Sequence, residues 1–174
     1  ISKELDLLRI LKYQIKENEF VYCIYGRIRP YKNIETAIRC FNMISDKNAR
    51  LIIAGQPITE EYGNQIEKLT VENKQIVTDF RFLSNMELDS IISLSDVVLM
   101  TYAGISSMNS GVLIKAFSEG KAVIAPQICM VNDISSKEDF LYRWQIDDTN
   151  MLCQQMLQAY RDGKVVLREK GKRA

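Results

Sequence analysis

Apolar residues along this chain gather into short, nearly continuous runs, and between those runs they recur at helical spacing. Residues 20–25, Phe-Val-Tyr-Cys-Ile-Tyr, carry no charge, and residues 50–54 repeat the pattern after a leading Arg. Residues 75–83 read as a third strand, 96–101 as a fourth, 121–125 as a fifth and 140–146 as a sixth. Runs of this length bounded by turn residues predict strands covered on both faces. A helix is predicted over 34–44. Thr59 caps another reaching about residue 72, and Ser84 with Glu87 forms a capping box for a helix to residue 94. A short helix starts at Ser110 and Gly111 and is stopped by Gly120. Asp148 or Thr149 caps a last helix to about residue 161. Ahead of the first strand, residues 4–17 read as an amphipathic linker helix with Leu5, Leu8, Leu11 and Ile15 on one side.

Alternating strand and helix with no repeat and no low-complexity stretch predicts an α/β domain: a doubly wound, Rossmann-like parallel sheet of about six strands with helices on both faces. Ligands of such sheets sit at the carboxyl ends of the strands, here residues 26–32, 55–57, 82–85, 102–110 and 126–132. The loop Gly26-Arg27-Ile28-Arg29-Pro30-Tyr31-Lys32-Asn33 puts two cations, Arg27 and Lys32, on a turn that ends at a helix start. They would suit a diphosphate. After the fourth strand a small-residue loop opens the helix at Ser110 and Gly111. Free N–H groups and the positive end of the helix dipole point there, and the missing side chain of Gly111 lets an anion approach the backbone. No GxGxxG follows the first strand and no GxxxxGK[ST] occurs, which argues against a dehydrogenase or a P-loop kinase.

A chain of 174 residues fits one domain. With 23 basic and 22 acidic residues the net charge is +1, too weak a field to imply a nucleic-acid partner. The absence of histidine removes zinc-protease motifs, serine or cysteine triads and any His base from this segment. Cys23, Cys40, Cys129 and Cys153 form no CxxC pair and read as free thiols, largely buried, in a reducing compartment. No apolar run approaches the roughly 18 residues that span a bilayer, and no leader opens the chain, so a soluble cytoplasmic chain is expected. The first residue is Ile1 rather than Met, which suggests a segment of a longer protein with a partner domain upstream.

The blocks Tyr25 to Glu35, Leu51 to Gly55, Ser95 to Leu99 and Ser110-Gly111-Val112 through Ala116 to Pro126 resemble, in order and spacing, the carboxyl-terminal donor-binding domain of group 1 (family 4-like) glycosyltransferases of the GT-B fold. The resemblance covers about residues 19–162. It implies a hexosyltransferase-type enzyme that moves a sugar from a nucleotide-diphosphate sugar to a glycan or lipid-linked acceptor, with residues 19–174 as donor-binding domain. Residues 1–18 would then be the linker from an amino-terminal acceptor domain, and this half alone would be inactive. Arg27 and Lys32 would act on the diphosphate. Gly26 and Gly55 lie in the flanking turns, Arg81 and Phe82 near the base, and Tyr102, Ser107, Asn109, Ser110, Gly111 and Val112 around the sugar and phosphates. Many members carry two glutamates where this chain has Ser107 and Lys115. An ammonium cannot accept hydrogen bonds from a ribose diol as a carboxylate does, so Lys115 is instead a candidate to reach a phosphate. A bacterial polysaccharide-assembly setting follows from the resemblance alone, with peripheral association at the inner face of the membrane carried mainly by the absent half.

The expected mechanism is electrostatic stabilisation of the leaving diphosphate by Arg27, Lys32 and the helix start, with no metal and no cofactor besides the nucleotide-sugar substrate. Two alternatives are a nucleotide-sugar 2-epimerase half-domain, which predicts histidine around the sugar, and a non-catalytic α/β nucleotide-binding module. A receiver-type module needs an acidic cluster after the first strand, where this chain is basic.

Overall fold

The structure is a computed structural model that describes residues 12–103, 111–128, 131 and 140–173. The largely apolar runs become a single sheet: β1 (Phe20–Tyr25), β2 (Ala49–Ala54), β3 (Ile76–Asp79), β4 (Val97–Leu99), β5 (Ala122–Pro126) and β6 (Leu141–Trp144). All five pairings are parallel, in the order β3-β2-β1-β4-β5-β6. The order reverses between β1 and β4, which leaves a crevice beyond their carboxyl ends.

Alternate residues of each strand feed two cores. Tyr22 and Ile24 of β1 face a cluster with α1 (Ile34–Asn42), α2 (Glu60–Thr70) and α5 (Thr149–Gly171). Val21, Cys23 and Tyr25 face a second cluster with α3 (Asn85–Leu94) and α4 (Gly111–Ser118). The predicted caps form. The Thr59 hydroxyl accepts from Tyr62 N at 3.1 Å. Ser84 and Glu87 make the reciprocal capping box, and the Asp148 carboxylate accepts from Met151 N at 2.9 Å. Gly120, at φ 62, follows the end of α4.

Four expectations are corrected. The helix over 4–17 does not run through its second half, because residues 13–19 are not helical and Gln14 takes φ 51; residues 1–11 lie outside the described residues. Tyr13 and Ile15 are instead buried in the second core with residues of α3 and β1. The third strand stops at Asp79, where Arg81 N turns back to Asp79 O at 3.2 Å. The last helix continues past 161 to Gly171, broken at Gly163 (φ 74, ψ 173), because Leu167 is buried in the first core and Gly171 packs against Gly120. Finally, Cys40 of α1 and Cys153 of α5 form a disulfide, with Cα atoms 4.9 Å apart. The two helices pack on one face of the sheet, which brings together cysteines 113 positions apart. Cys23 is free and buried as expected, and Cys129 lies outside the described residues.

Candidate functional site

The chain leaves β1 through Gly26 at φ 89, a conformation that L side chains rarely adopt. A Cβ there would lie 3.4 Å from Lys32 Nζ and 3.9 Å from Val112 Cγ2. One small residue therefore stands where the cationic turn meets the first turn of α4. The turn Pro30–Lys32 is a single 3-10 turn, and it folds the Lys32 side chain back under the strand end. Lys32 is 3% exposed, and its ammonium donates to Tyr25 O at 2.6 Å. Burial, followed by the charge of Arg29, pulls its pKa from the usual 10.5 down to about 8, only partly countered by Cys23.

Neighbouring groups fix this geometry. The Thr101 hydroxyl at the end of β4 donates to Lys32 O at 2.5 Å, and Ala103 N donates to Tyr31 O at 2.7 Å. The Tyr25 hydroxyl donates to Val112 O at 2.5 Å, which ties β1 to α4. Tyr31 and Tyr102 meet edge to face at 5.5 Å, and the Tyr102 ring centroid is 5.9 Å from Lys32 Nζ. Thr101 and Tyr25 are site residues that the sequence reading missed. A lone threonine at the end of an apolar run is the one signal in the sequence that could have marked the first.

Arg27 is exposed, and among the described residues neither Arg27 nor Arg29 makes a side-chain hydrogen bond or ion pair. Gly111 is exposed, and among the described residues no atom lies within 4 Å of where a Cβ would stand. Ser107, Asn109 and Ser110 lie outside the described residues. Gly55 serves a structural purpose: at φ 138 a Cβ on it would fall 1.9 Å from Gly26 O. That close approach lets Ile28 N donate to Gln56 O and Ile58 N to Ile28 O, each at 2.9 Å, so that the first two loops run side by side. Lys115 forms an ion pair with Asp89 of α3.

Arg81 and Phe82 stand apart, beyond β3 at the edge of the sheet. Arg81 Nε is 3.0 Å from Asp79 Oδ1 and its outer nitrogen 2.6 Å from Glu87 Oε1. Phe82 is 75% exposed. A pocket of about 300 Å³ opens beside this loop, walled by Gln56, Pro57, Glu60, Gly63, Phe80 and Arg81. The arrangement thus has two parts. At the carboxyl ends of β1 and β4 stand the buried Lys32 ammonium, the turn that carries Arg27 and, beside Gly26, the first turn of α4. A planar, partly apolar shelf lies two strands away.

The family model described as glycosyl transferases group 1 matches residues 10–164. The GDP-mannose:glycolipid 4-beta-D-mannosyltransferase of Xanthomonas campestris pv. campestris is 25% identical over 127 residues, 71% of this chain and 36% of that protein. HepE of Anabaena, solved in complex with UDP-glucose, superposes with a TM-score of 0.80 at 15% identity over 99% of this chain and 46% of that one. The C-terminal domain of LpcC, a glycosyl transferase group 1 family protein of Francisella tularensis, superposes with a TM-score of 0.74 at 16% identity, covering 94% of this chain and 89% of that one. The chain therefore spans about a third of the length of the curated relative it matches and nearly all of a solved carboxyl-terminal domain.

Proposed function

The chain belongs to the group 1 glycosyl transferases, and on that premise we propose that it is the donor-binding half of an enzyme that transfers a hexose from a nucleotide-diphosphate sugar. The diphosphate lies in the crevice between β1 and β4, against Lys32, Arg27 and the first turn of α4. The base lies toward Arg81, Phe82 and the neighbouring pocket. The observation that carries the reading is the convergence at Gly26, where Lys32 Nζ and Val112 of α4 both come within 4 Å of the position a Cβ would take. Relatives whose names specify GDP-mannose or UDP-glucose support a nucleotide-sugar donor.

The chemistry follows from charge. As the bond between the sugar's anomeric carbon and the diphosphate oxygen breaks, its electron pair passes to the diphosphate. The acceptor oxygen supplies the electron pair of the new bond to that carbon, and its proton passes to the released diphosphate or to solvent. Lys32, Arg27 and the amides of α4 meet the growing negative charge without reorganising, because hydrogen bonds from Thr101 and Tyr25 already hold the Lys32 turn and the first turn of α4 in place. The mannosyltransferase relative is named for a glycolipid acceptor, so a lipid-linked glycan approached from the membrane surface suits the intact protein. Among the described residues no helix is long and apolar enough to cross a membrane.

Calorimetric titration of this chain with GDP, UDP and inorganic pyrophosphate tests the reading. At least one nucleoside diphosphate binds, pyrophosphate binds more weakly, and Lys32→Ala loses both. Flat titrations with every probe overturn the assignment.

A further inference from the structure

The loop beyond β3 is held by a single buried carboxylate. Asp79, the last residue of β3, is 9% exposed and gathers three partners from two parts of the chain. Its Oδ2 accepts from the Tyr13 hydroxyl at 2.8 Å and lies 2.7 Å from Lys12 Nζ. Its Oδ1 accepts from Arg81 Nε at 3.0 Å. Arg81 passes the connection on to Glu87 at 2.6 Å, and Glu87 Oε2 accepts from the Ser84 amide at 2.8 Å and the Ser84 hydroxyl at 2.9 Å, at the start of α3. Arg81 also donates to Phe82 O at 3.3 Å. On the other side the segment is anchored, because Arg50 donates to Tyr13 O at 3.2 Å and Tyr13 is 1% exposed.

The guanidinium of Arg81 therefore faces two carboxylates, and its charge is neutralised within the protein. It is suited to present a flat surface and to fix the course of the backbone over residues 80–84, and poorly suited to attract phosphate. The same Asp79 that sets this loop also clamps the segment through which the chain enters the domain.

The geometry points to Asp79 as a positioning residue for the nucleoside: it holds Arg81 and the 80–84 loop in the form that receives the base, and it couples that form to the entering segment at Lys12 and Tyr13. This rests on the donor-binding reading above. Asp79 ends β3, two strands away from the crevice between β1 and β4, so its removal separates recognition of the base from recognition of the diphosphate. A network in which one carboxylate has partners on two segments transmits displacement of either one.

The test is titration of wild type, Asp79→Asn and Tyr13→Phe with GDP, UDP and inorganic pyrophosphate, joined to amide hydrogen exchange. Asp79→Asn weakens the nucleoside diphosphate that wild type binds at least tenfold and leaves pyrophosphate within twofold. Tyr13→Phe, which removes one hydroxyl from a folded core, weakens the nucleoside diphosphate several-fold, spares pyrophosphate, and abolishes the slowing of exchange over residues 12–16 that the ligand produces in wild type. Equal losses for both probes, or unchanged nucleoside diphosphate affinity in both variants, overturn the role of Asp79. A wild-type chain that binds no nucleoside diphosphate overturns the donor-binding reading itself, which keeps the two failures distinct.

Discussion

The crevice between β1 and β4 and the rim beyond β3 both carry arginine and lie at the same end of the sheet, yet they handle charge in opposite ways. In the crevice, Lys32 is buried against a carbonyl, and Arg27 has no ionic partner among the described residues. At the rim, Arg81 is balanced by Asp79 and Glu87. Positive charge left without a counter-ion inside the protein can be given to a ligand, whereas a charge already paired contributes shape. The proposed function follows this contrast, with the diphosphate given to the crevice and the base to the rim.

The largest expected effect comes from Arg27→Ala. Removing a donor aimed at developing charge costs about 2.7–4 kcal/mol of transition-state stabilisation, so transfer by the intact enzyme falls about 10²–10³-fold. Because Arg27 is exposed and has no hydrogen-bond or ionic partner among the described residues, the melting temperature of this chain stays within about 2 °C. Steady-state kinetics and a thermal melt check both halves. Normal turnover in a folded variant breaks the contrast.

Lys32→Met has effects of opposite sign on binding and stability. The folded-state pKa of about 8 lies below the unfolded value of 10.5, so the unfolded chain holds its proton more tightly. Wild-type stability then rises between about pH 8 and pH 10.5, and the full cost of the buried ammonium is present below pH 8. That cost is about 3 kcal/mol. About 1 kcal/mol is returned when the Tyr25 carbonyl loses its donor, and the variant gains about 2 kcal/mol at pH 7. Urea denaturation at pH 7 and pH 10.5 measures this, with the gain shrinking at the higher pH. A variant less stable than wild type at pH 7 would mean that Lys32 is a structural strut.

Much of the fold could be read from the chain because its information is local. Largely apolar runs, Thr59, the Ser84/Glu87 box and Gly120 each act within a few residues, and they produced strands and caps close to their expected places. Of the candidate site, the turn at Gly26 was legible for the same reason, since its φ of 89 favours glycine, and so was the start of α4 at Gly111. What escaped depends on pairings distant in sequence. Thr101 matters through a carbonyl 69 positions away and Asp79 through a hydroxyl 66 away. Cys40 finds Cys153 only after α1 and α5 have packed together. The polar stretch after Gly163 gives little periodic signal, and it is held by one buried leucine and a glycine contact.

The smallest expected effect lies at the rim. Glu87 is held down to about pKa 2, first by Arg81 and then by the Ser84 backbone. Its folded-state pKa lies below the unfolded value of 4.5, so its contribution is complete above about pH 4.5 and disappears as pH falls toward 2. The pair is exposed, so Glu87→Gln costs only about 0.5–1 kcal/mol at pH 7, and 1 M salt removes most of that difference. A loss several times larger that survives high salt would make the rim as tightly built as the crevice.

The central claim is that a diphosphate sits beside the Lys32 ammonium. The direct measurement is the pKa of Lys32, followed through its side-chain ¹³C resonance in a pH titration with and without a saturating nucleoside diphosphate. The account predicts a value near 8 in the free chain, rising by on the order of 2 units when the dianionic group arrives. A bound ligand that leaves the Lys32 titration unmoved would place the diphosphate elsewhere and contradict it.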